Sequence, residues 1–544
     1  EQARQFLESR GVEVAGGITL TVNERNRFET YCYTNPDHRR KVKEVITYTA
    51  RLFDEVILDD FFFTNCKCPS CIAAKGDRSW TEFRLDLMTK AARNLILEPA
   101  RTVNPDVEVV IKYPNWYAHF QGLGFNLETE PPMFDGVYTG TETRDPVLSH
   151  QHLQPYHGYT VYRYFENIKP GGNRGGWVDT GGMRALDRYA EQLWITLFAK
   201  APELTLFDFR QLQYGIKPSM RSDWQDLKGT SFDFDAMIAP VQRDDGSWPE
   251  ETTLALAAGY ILDQVDGVLD ALGTPVGVPS YRPYHATGED FLPSYLGMLG
   301  IPIDLRPEFP EDAATVLLTE SAKFDPQIVE KIQQHLMARK TVILTSGLLR
   351  ALQDKGLRDI VEVRLTDRKA SVQNYLMGRT PIHQPGDPIL FSHIDYLTND
   401  AWEEVSGLTH TTGHPVLLSN QYGGGTLYVL TIPDNFDDLY RMPSAVMARI
   451  RSVLVQDLDV RVNGPAQVML FAYDNDTFIV ESFRSEPVSV QITVDRSVTT
   501  LHDVQSGEVV RDAEPILDWR GEPTNEARFE VALPPHTYRI FRTE

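Results

Sequence analysis

Along roughly the first 215 residues, short apolar runs alternate with amphipathic stretches. Runs that read as strands lie at 12–19, 54–63, 107–114, 134–142, 159–164, 175–179 and 203–209, with helical stretches at 38–51, 80–103 and 184–200 between them. Within 80–103, Leu85, Met88, Ala92 and Leu95 recur at three- and four-residue spacing, the mark of one buried helix face. Strands alternating with helices predict a parallel sheet. A doubly wound nucleotide-binding sheet would place a glycine-rich loop after its first strand, and no such loop is present. The pattern therefore predicts an α/β fold, a (β/α)8 TIM-type barrel over residues 1–270. Residues 1–10 read as a helix already under way, so the first one or two barrel strands are expected upstream of Glu1.

A second α/β pattern covers 271–458. Strands are predicted at 275–281, 301–305, 314–319, 341–345, 388–392 and 426–431, and helices at 290–299, 325–339 and 439–455, which suggests a flavodoxin-like domain. Gly423-Gly424-Gly425 precedes a strand rather than opening a helix, so it reads as a hairpin turn and not a phosphate cradle. From 459 to 544 the period shortens to alternating residues with turn punctuation at Asp474-Asn475 and Gln505-Ser506-Gly507, predicting a small antiparallel β-sandwich.

Composition narrows the function classes. The net charge of -23 argues against nucleic-acid binding, which needs clustered Lys and Arg. No apolar run reaches the length of about 18 residues that a membrane helix needs. The protein reads as soluble, with cytoplasmic, periplasmic and secreted locations all open. Its 23 Tyr and 8 Trp suit a carbohydrate surface, although a large aromatic core accounts for them equally simply. All four cysteines precede residue 72, so this is no disulfide scaffold.

The predicted chemistry lies at strand ends, where catalytic groups of barrels sit. The run 54–63 ends in the adjacent carboxylates Asp59 and Asp60, which would perturb each other's protonation. Alternation turns one of the two toward the barrel interior, with Asp60 the first choice as a catalytic acid. Glu142 is the second carboxyl, with Arg144 two residues on to keep it ionised; Asp179, set between glycines, is a third. Tyr113, Asn115, Trp116 and Trp177 fall near the same mouth and would contact a sugar, as would Asp208 and Arg210 on the last strand. Paired carboxylates with aromatic neighbours are what glycoside cleavage requires. Each has a bland alternative as well: a cap, a salt bridge or core packing. Cys66, Cys68 and Cys71, with Cys32 upstream, make four thiolates, enough for a tetrahedral structural zinc. A disulfide and plain thiols are the other options. His150, His152 and His157 read as a solvated loop.

The order barrel, flavodoxin-like domain, sandwich resembles the glycoside hydrolase family 42 β-galactosidases. The local match is Asp59-Asp60-Phe61 followed by Cys66, Cys68 and Cys71, together with the Asp208-Phe209-Arg210-Gln211 strand. The resemblance implies a carbohydrate substrate, no cofactor for catalysis, and a homo-oligomer, dimer or trimer, built through the middle domain. This chain departs from the family in two places. It has Asp-Asp where the family carries Asn-Glu, and its acid nearest the seventh strand is Asp179. The expected function is a glycosidase acting on an oligosaccharide or glycoside. The alternative is a barrel that binds sugars and has lost catalysis.

Overall fold

The computed structural model describes all residues except 1, 24–28, 116–119, 145–152, 181–182, 223–230, 232, 240–245, 248–251, 411 and 519. Six strands, β1 (Gly16–Ile18), β2 (Glu55–Leu58), β3 (Glu108–Tyr113), β4 (Gly136–Gly140), β5 (Asn173–Asp179) and β6 (Leu204–Phe207), form one sheet in sequence order. β1 through β5 pair in parallel. Unbroken sequential order is the winding of a barrel wall; a doubly wound sheet reverses direction at a switch point. β3 and β4 are buried along almost their whole length, as strands covered on both faces must be.

Helix α1 (Pro36–Leu52) starts where Asn35 accepts the amides of Asp37 and His38, with Pro36 at the first turn. Helix α2 (Trp80–Ala91) opens with a capping box between Ser79 and Glu82, then runs on through a π-helical turn, Ala92–Leu97, into Glu98–Val103. Together they fill the predicted 80–103. The segment 159–164 is not a strand. It lies inside helix α3 (His157–Ile168), where Tyr159, Val161, Tyr162, Tyr164 and Phe165 are all buried. Its β-branched and aromatic residues imitate a strand over this short window, although Arg163, Glu166 and Asn167 mark a half-buried polar stripe at helical spacing. His157 belongs to this helix. It is fully buried, with Nδ1 3.0 Å from Ser294 Oγ, and so is no loop histidine. His150 and His152 lie outside the described residues. Helix α4 (Leu186–Phe198) is buried at every position but one.

The middle region holds a nine-stranded sheet. Ile303–Arg306, Val278–Tyr281, Thr315–Leu318, Thr341–Thr345 and Gly425–Leu430 pair in parallel, with the order reversing at Val278–Tyr281 as in flavodoxin-like folds. Four antiparallel strands extend it: Gly413–Tyr422, Ala401–Leu408, Asn374–Met377 and Thr380–His383. The ribbon Val363–Val372 with Ile389–Tyr396 stands apart from that sheet. These polar, frequently exposed strands carry little hydrophobic pattern, and the sequence reading caught only part of one. Gly423 and Gly424 sit at φ 60° and 92° in the hairpin between Gly413–Tyr422 and Gly425–Leu430, a turn that left-handed glycines allow. The C-terminal region forms a four-stranded and a six-stranded antiparallel sheet around Leu470, Val480, Ile492, Phe529 and Phe541. The short strand Pro275–Val276 joins the larger sheet through Val468–Tyr473.

Candidate active site

Strand β2 buries Val56 and Leu58 completely and delivers Asp59 and Asp60 at its C-terminal end. The Asp59 amide continues the ladder by donating to Ile18 O at 2.9 Å. The Asp59 carboxylate is then well supplied with donors: Asp60 N at 2.8 Å and Thr19 Oγ1 at 3.1 Å. Lys112 from the neighbouring β3 reaches both acids, with Nζ 3.4 Å from Asp59 Oδ1 and 3.2 Å from Asp60 Oδ2. Its side chain is only 5% exposed, and its ammonium lies 4.9 Å from the Trp177 ring centroid. Burial pushes the Asp60 carboxyl up to about 6 despite the opposing pull of Lys112, and the Asp59 charge adds to the rise. One cation shared by two close carboxylates favours a proton on one of them, and Asp60 has the weaker set of donors.

Lys112 escaped the sequence reading. Its signal was a single basic residue inside the apolar run 107–114, where a charge is tolerated only if paired.

On β4 the chain reaches Glu142, 3% exposed, just past Gly140. Asn115 is equally buried and donates Nδ2 to Glu142 O at 2.7 Å. A Cβ on Gly140 would come within 2.7 Å of Asn115 N, so this close approach of β3 and β4 requires glycine. Thr141 N donates to Trp177 O at 3.0 Å, and Trp177 meets Tyr138 edge-on at 6.0 Å.

Tyr113 is not available to stack on a sugar. It is fully buried, with its ring stacked on Phe165 at 4.8 Å and flanked by Phe120 and Phe125. Alternation on a strand covered on both faces sends it into the core. Trp116 lies outside the described residues. Arg144, which the sequence set beside Glu142, has a left-handed backbone at φ 58° and donates to Asp179 Oδ2 at 2.5 Å. That backbone breaks the two-residue alternation on which the expected pairing rested. Asp208 caps the short helix Phe209–Leu212 by accepting Gln211 N at 3.0 Å, and Arg210, 86% exposed, pairs with it at 3.1 Å. Asp208 thus serves both the helix cap and Arg210.

The four cysteines converge. Their Sγ atoms all lie within 4.8 Å of one another, and Cys32 is 3.6 Å from both Cys68 and Cys71, too far for a disulfide. Thiolates about 2.3 Å from a tetrahedral ion would stand ~3.8 Å apart, so the spacing fits a closed four-sulfur site. Phe83, Trp80 and Leu87 pack around it. Hydrogen bonding from Ser70 pulls the Cys68 thiol down to about 6, toward the thiolate a metal would bind. Lys67, Lys75 and Arg84 gather on the Trp80 ring at 5.0–5.6 Å and supply positive charge beside the sulfurs.

Residues 1–271 match the family model of a probable glycosyl hydrolase catalytic domain, and residues 459–543 match the C-terminal domain of the same family. Between these two matched regions, residues 273–435 match the second domain of Uncharacterized protein SSO3021. That protein, from Saccharolobus solfataricus, is 22% identical over an alignment covering 98% of this chain and 89% of its own. Among solved structures, a β-galactosidase from Bacillus circulans sp. alkalophilus superposes with a TM-score of 0.59 at 13% identity, covering 96% of this chain and 86% of that one. α-L-Fucosidase isoenzyme 2 from Paenibacillus thiaminolyticus gives 0.59 at 12% identity, covering 99% and 89%. At these identities the two superpositions speak for the fold.

Proposed function

We propose that the protein is a glycoside hydrolase in which Asp60 donates a proton to the leaving oxygen and Glu142 is the second carboxyl. The observation that carries this reading is the Asp59–Asp60–Lys112 cluster, which keeps a strand-end carboxyl with an affinity for protons near pH 6. That is where a general acid working near neutrality belongs. β2 and β4 are two strands apart, so the backbones carrying Asp60 and Glu142 are separated by ~10 Å, room for a sugar between their carboxyls. Asp59, held by three donors, anchors the cluster. Trp177 and Asn115 are the aromatic and polar walls of the same strand ends. Asp179 and Arg144 supply an acceptor and a donor for sugar hydroxyls, and Asp208 with Arg210 supply a second such pair.

Nitrophenyl glycosides test the proposal, with β-galactoside and α-L-fucoside first because the named structural relatives act on those sugars. On alkyl glycosides of the sugar turned over, Asp60→Asn and Glu142→Gln should each lower kcat by at least ~10³-fold with folding intact. Full activity in both variants, or sugar binding without any turnover by the unaltered protein, sinks the assignment; the second result would favour the sugar-binding barrel.

The four thiolates would hold one structural zinc and pin the loop that follows Asp60. Elemental analysis should find one zinc per chain, and Cys68→Ser should lose it together with several kcal/mol of stability. Metal-free protein of unchanged stability contradicts this. The middle domain is the oligomerisation element in this proposal. Trp402, 70% exposed, with the exposed Leu397 and Leu390, offers an apolar surface for a second copy. Light scattering should read a dimer or trimer, and a monomer at micromolar concentration removes the idea.

A further inference from the structure

Arg144 holds a backbone conformation that side chains bearing a Cβ seldom adopt, at φ 58°. Such outliers persist only where the surroundings over-determine them. Here the determinant is Gln192 on α4, 4% exposed. Its Oε1 accepts two successive backbone amides, Thr143 N at 2.7 Å and Arg144 N at 2.8 Å. Both partners are donors, so the oxygen of the amide must face them; Nε2 then turns to Met183 Sδ at 3.4 Å, an acceptor. Consecutive N–H groups converging on one oxygen make a small nest. With the backbone fixed in this way, the guanidinium of Arg144 meets Asp179, the last residue of β5.

Gln192 is anchored from behind. Its neighbour Glu191 pairs with Arg188 at 2.8 Å and with buried His536 at 2.5 Å, and Trp194 donates Nε1 to Glu481 at 2.7 Å. His536 and Glu481 belong to the C-terminal sandwich, so that region grips the helix which sets the Arg144 turn.

We infer that Gln192 is a positioning residue: it holds Arg144 against Asp179, so that the pair presents a fixed donor and acceptor to the hydroxyls of a neutral sugar. The inference rests on the glycoside hydrolase reading for what the pair does, and on geometry alone for how the pair is held. Gln192→Met keeps the volume and removes the acceptor; Gln192→Glu keeps an acceptor. Gln192→Met should lower kcat/KM ~30-fold, mainly through KM, with the melting temperature within a few degrees of the unaltered protein. Gln192→Glu should stay within ~3-fold. In an Asp179→Asn background, Gln192→Met should cost almost nothing further, because both changes remove the same arrangement. Additive losses in that cycle overturn the inference. Crystal structures of both variants decide the positioning claim even if no glycoside is turned over. Arg144 should leave the left-handed region and release Asp179 in Gln192→Met and keep both in Gln192→Glu; an undisturbed pair in Gln192→Met, or a broken one in Gln192→Glu, overturns it. Absence of turnover by the unaltered protein, with that structural pattern intact, would refute the hydrolase reading and leave the positioning role standing.

Discussion

Two of the ion-pair clusters at the C-terminal ends of the barrel strands differ in how many carboxylates one cation serves and in how deeply they are buried. At β2 and β3, Lys112 serves two carboxylates, Asp59 and Asp60, and is almost wholly buried. At the end of β5, Arg144 serves one, Asp179, and the two side chains are 33% and 22% exposed. A one-to-one pair in partial contact with water is satisfied as it stands and is worth little beyond orientation. A buried two-to-one cluster is short of positive charge, which raises the affinity of the less well supplied acid for a proton. The one-to-one pair aligns; the two-to-one cluster tunes a carboxyl toward proton exchange near pH 6.

The sharpest way to break this contrast is to remove the shared cation. Lys112→Met should raise the Asp60 carboxyl further above 6, since Lys112 opposes the rise caused by burial. The alkaline limb of the kcat/KM profile should then move up by roughly one pH unit or more. Arg144→Met, which touches only the one-to-one pair, should leave that limb in place. Equal shifts in both variants would erase the distinction.

Stability sharpens it next. A carboxyl whose folded pKa lies above its unfolded value binds its proton more tightly in the folded state. Its contribution to stability is full below the unfolded value near 4 and is lost as pH rises through about 6. Asp60→Asn should therefore stabilise the protein at pH 8 relative to its effect at pH 4, by up to about 3 kcal/mol. Denaturant titrations at the two pH values read this directly, and a gain at pH 4 instead would reverse the sign. The smallest expected effect is that of Asp179→Asn. Loss of a partly exposed pair should change stability at pH 8 by about 1 kcal/mol or less, measured the same way.

Much of this was legible in the chain before any coordinates. Apolar runs ending in polar residues marked β2, β3, β4 and β5, and the signal is most continuous in β3 and β4, which are buried on both faces. The cysteines announced their cluster through spacing, although Cys32 lies 34 positions before Cys66. What escaped was set by tertiary surroundings. Part of helix α3 read as a strand because its β-branched and aromatic residues outweighed the helical spacing of Arg163, Glu166 and Asn167. Tyr113 read as a sugar contact because neither strand alternation nor composition tells a core-facing aromatic from one at the mouth. Lys112 was visible as an anomaly in an apolar run, yet its two partners come from another strand. Gln192 carried no local signal: its role depends on amides 48 and 49 positions away in sequence. The antiparallel strands between 363 and 422 have mixed, half-exposed faces and so lacked a clean period.

The most direct test of the account is leaving-group dependence in Asp60→Asn. A proton donor matters most when the leaving oxygen is basic and least when it departs unaided. Asp60→Asn should lose at least ~10³-fold on alkyl glycosides while staying within ~10-fold of the unaltered protein on dinitrophenyl glycosides of the same sugar. Losses of equal size on both substrates, or none on either, would contradict the claim that this buried carboxyl supplies the proton.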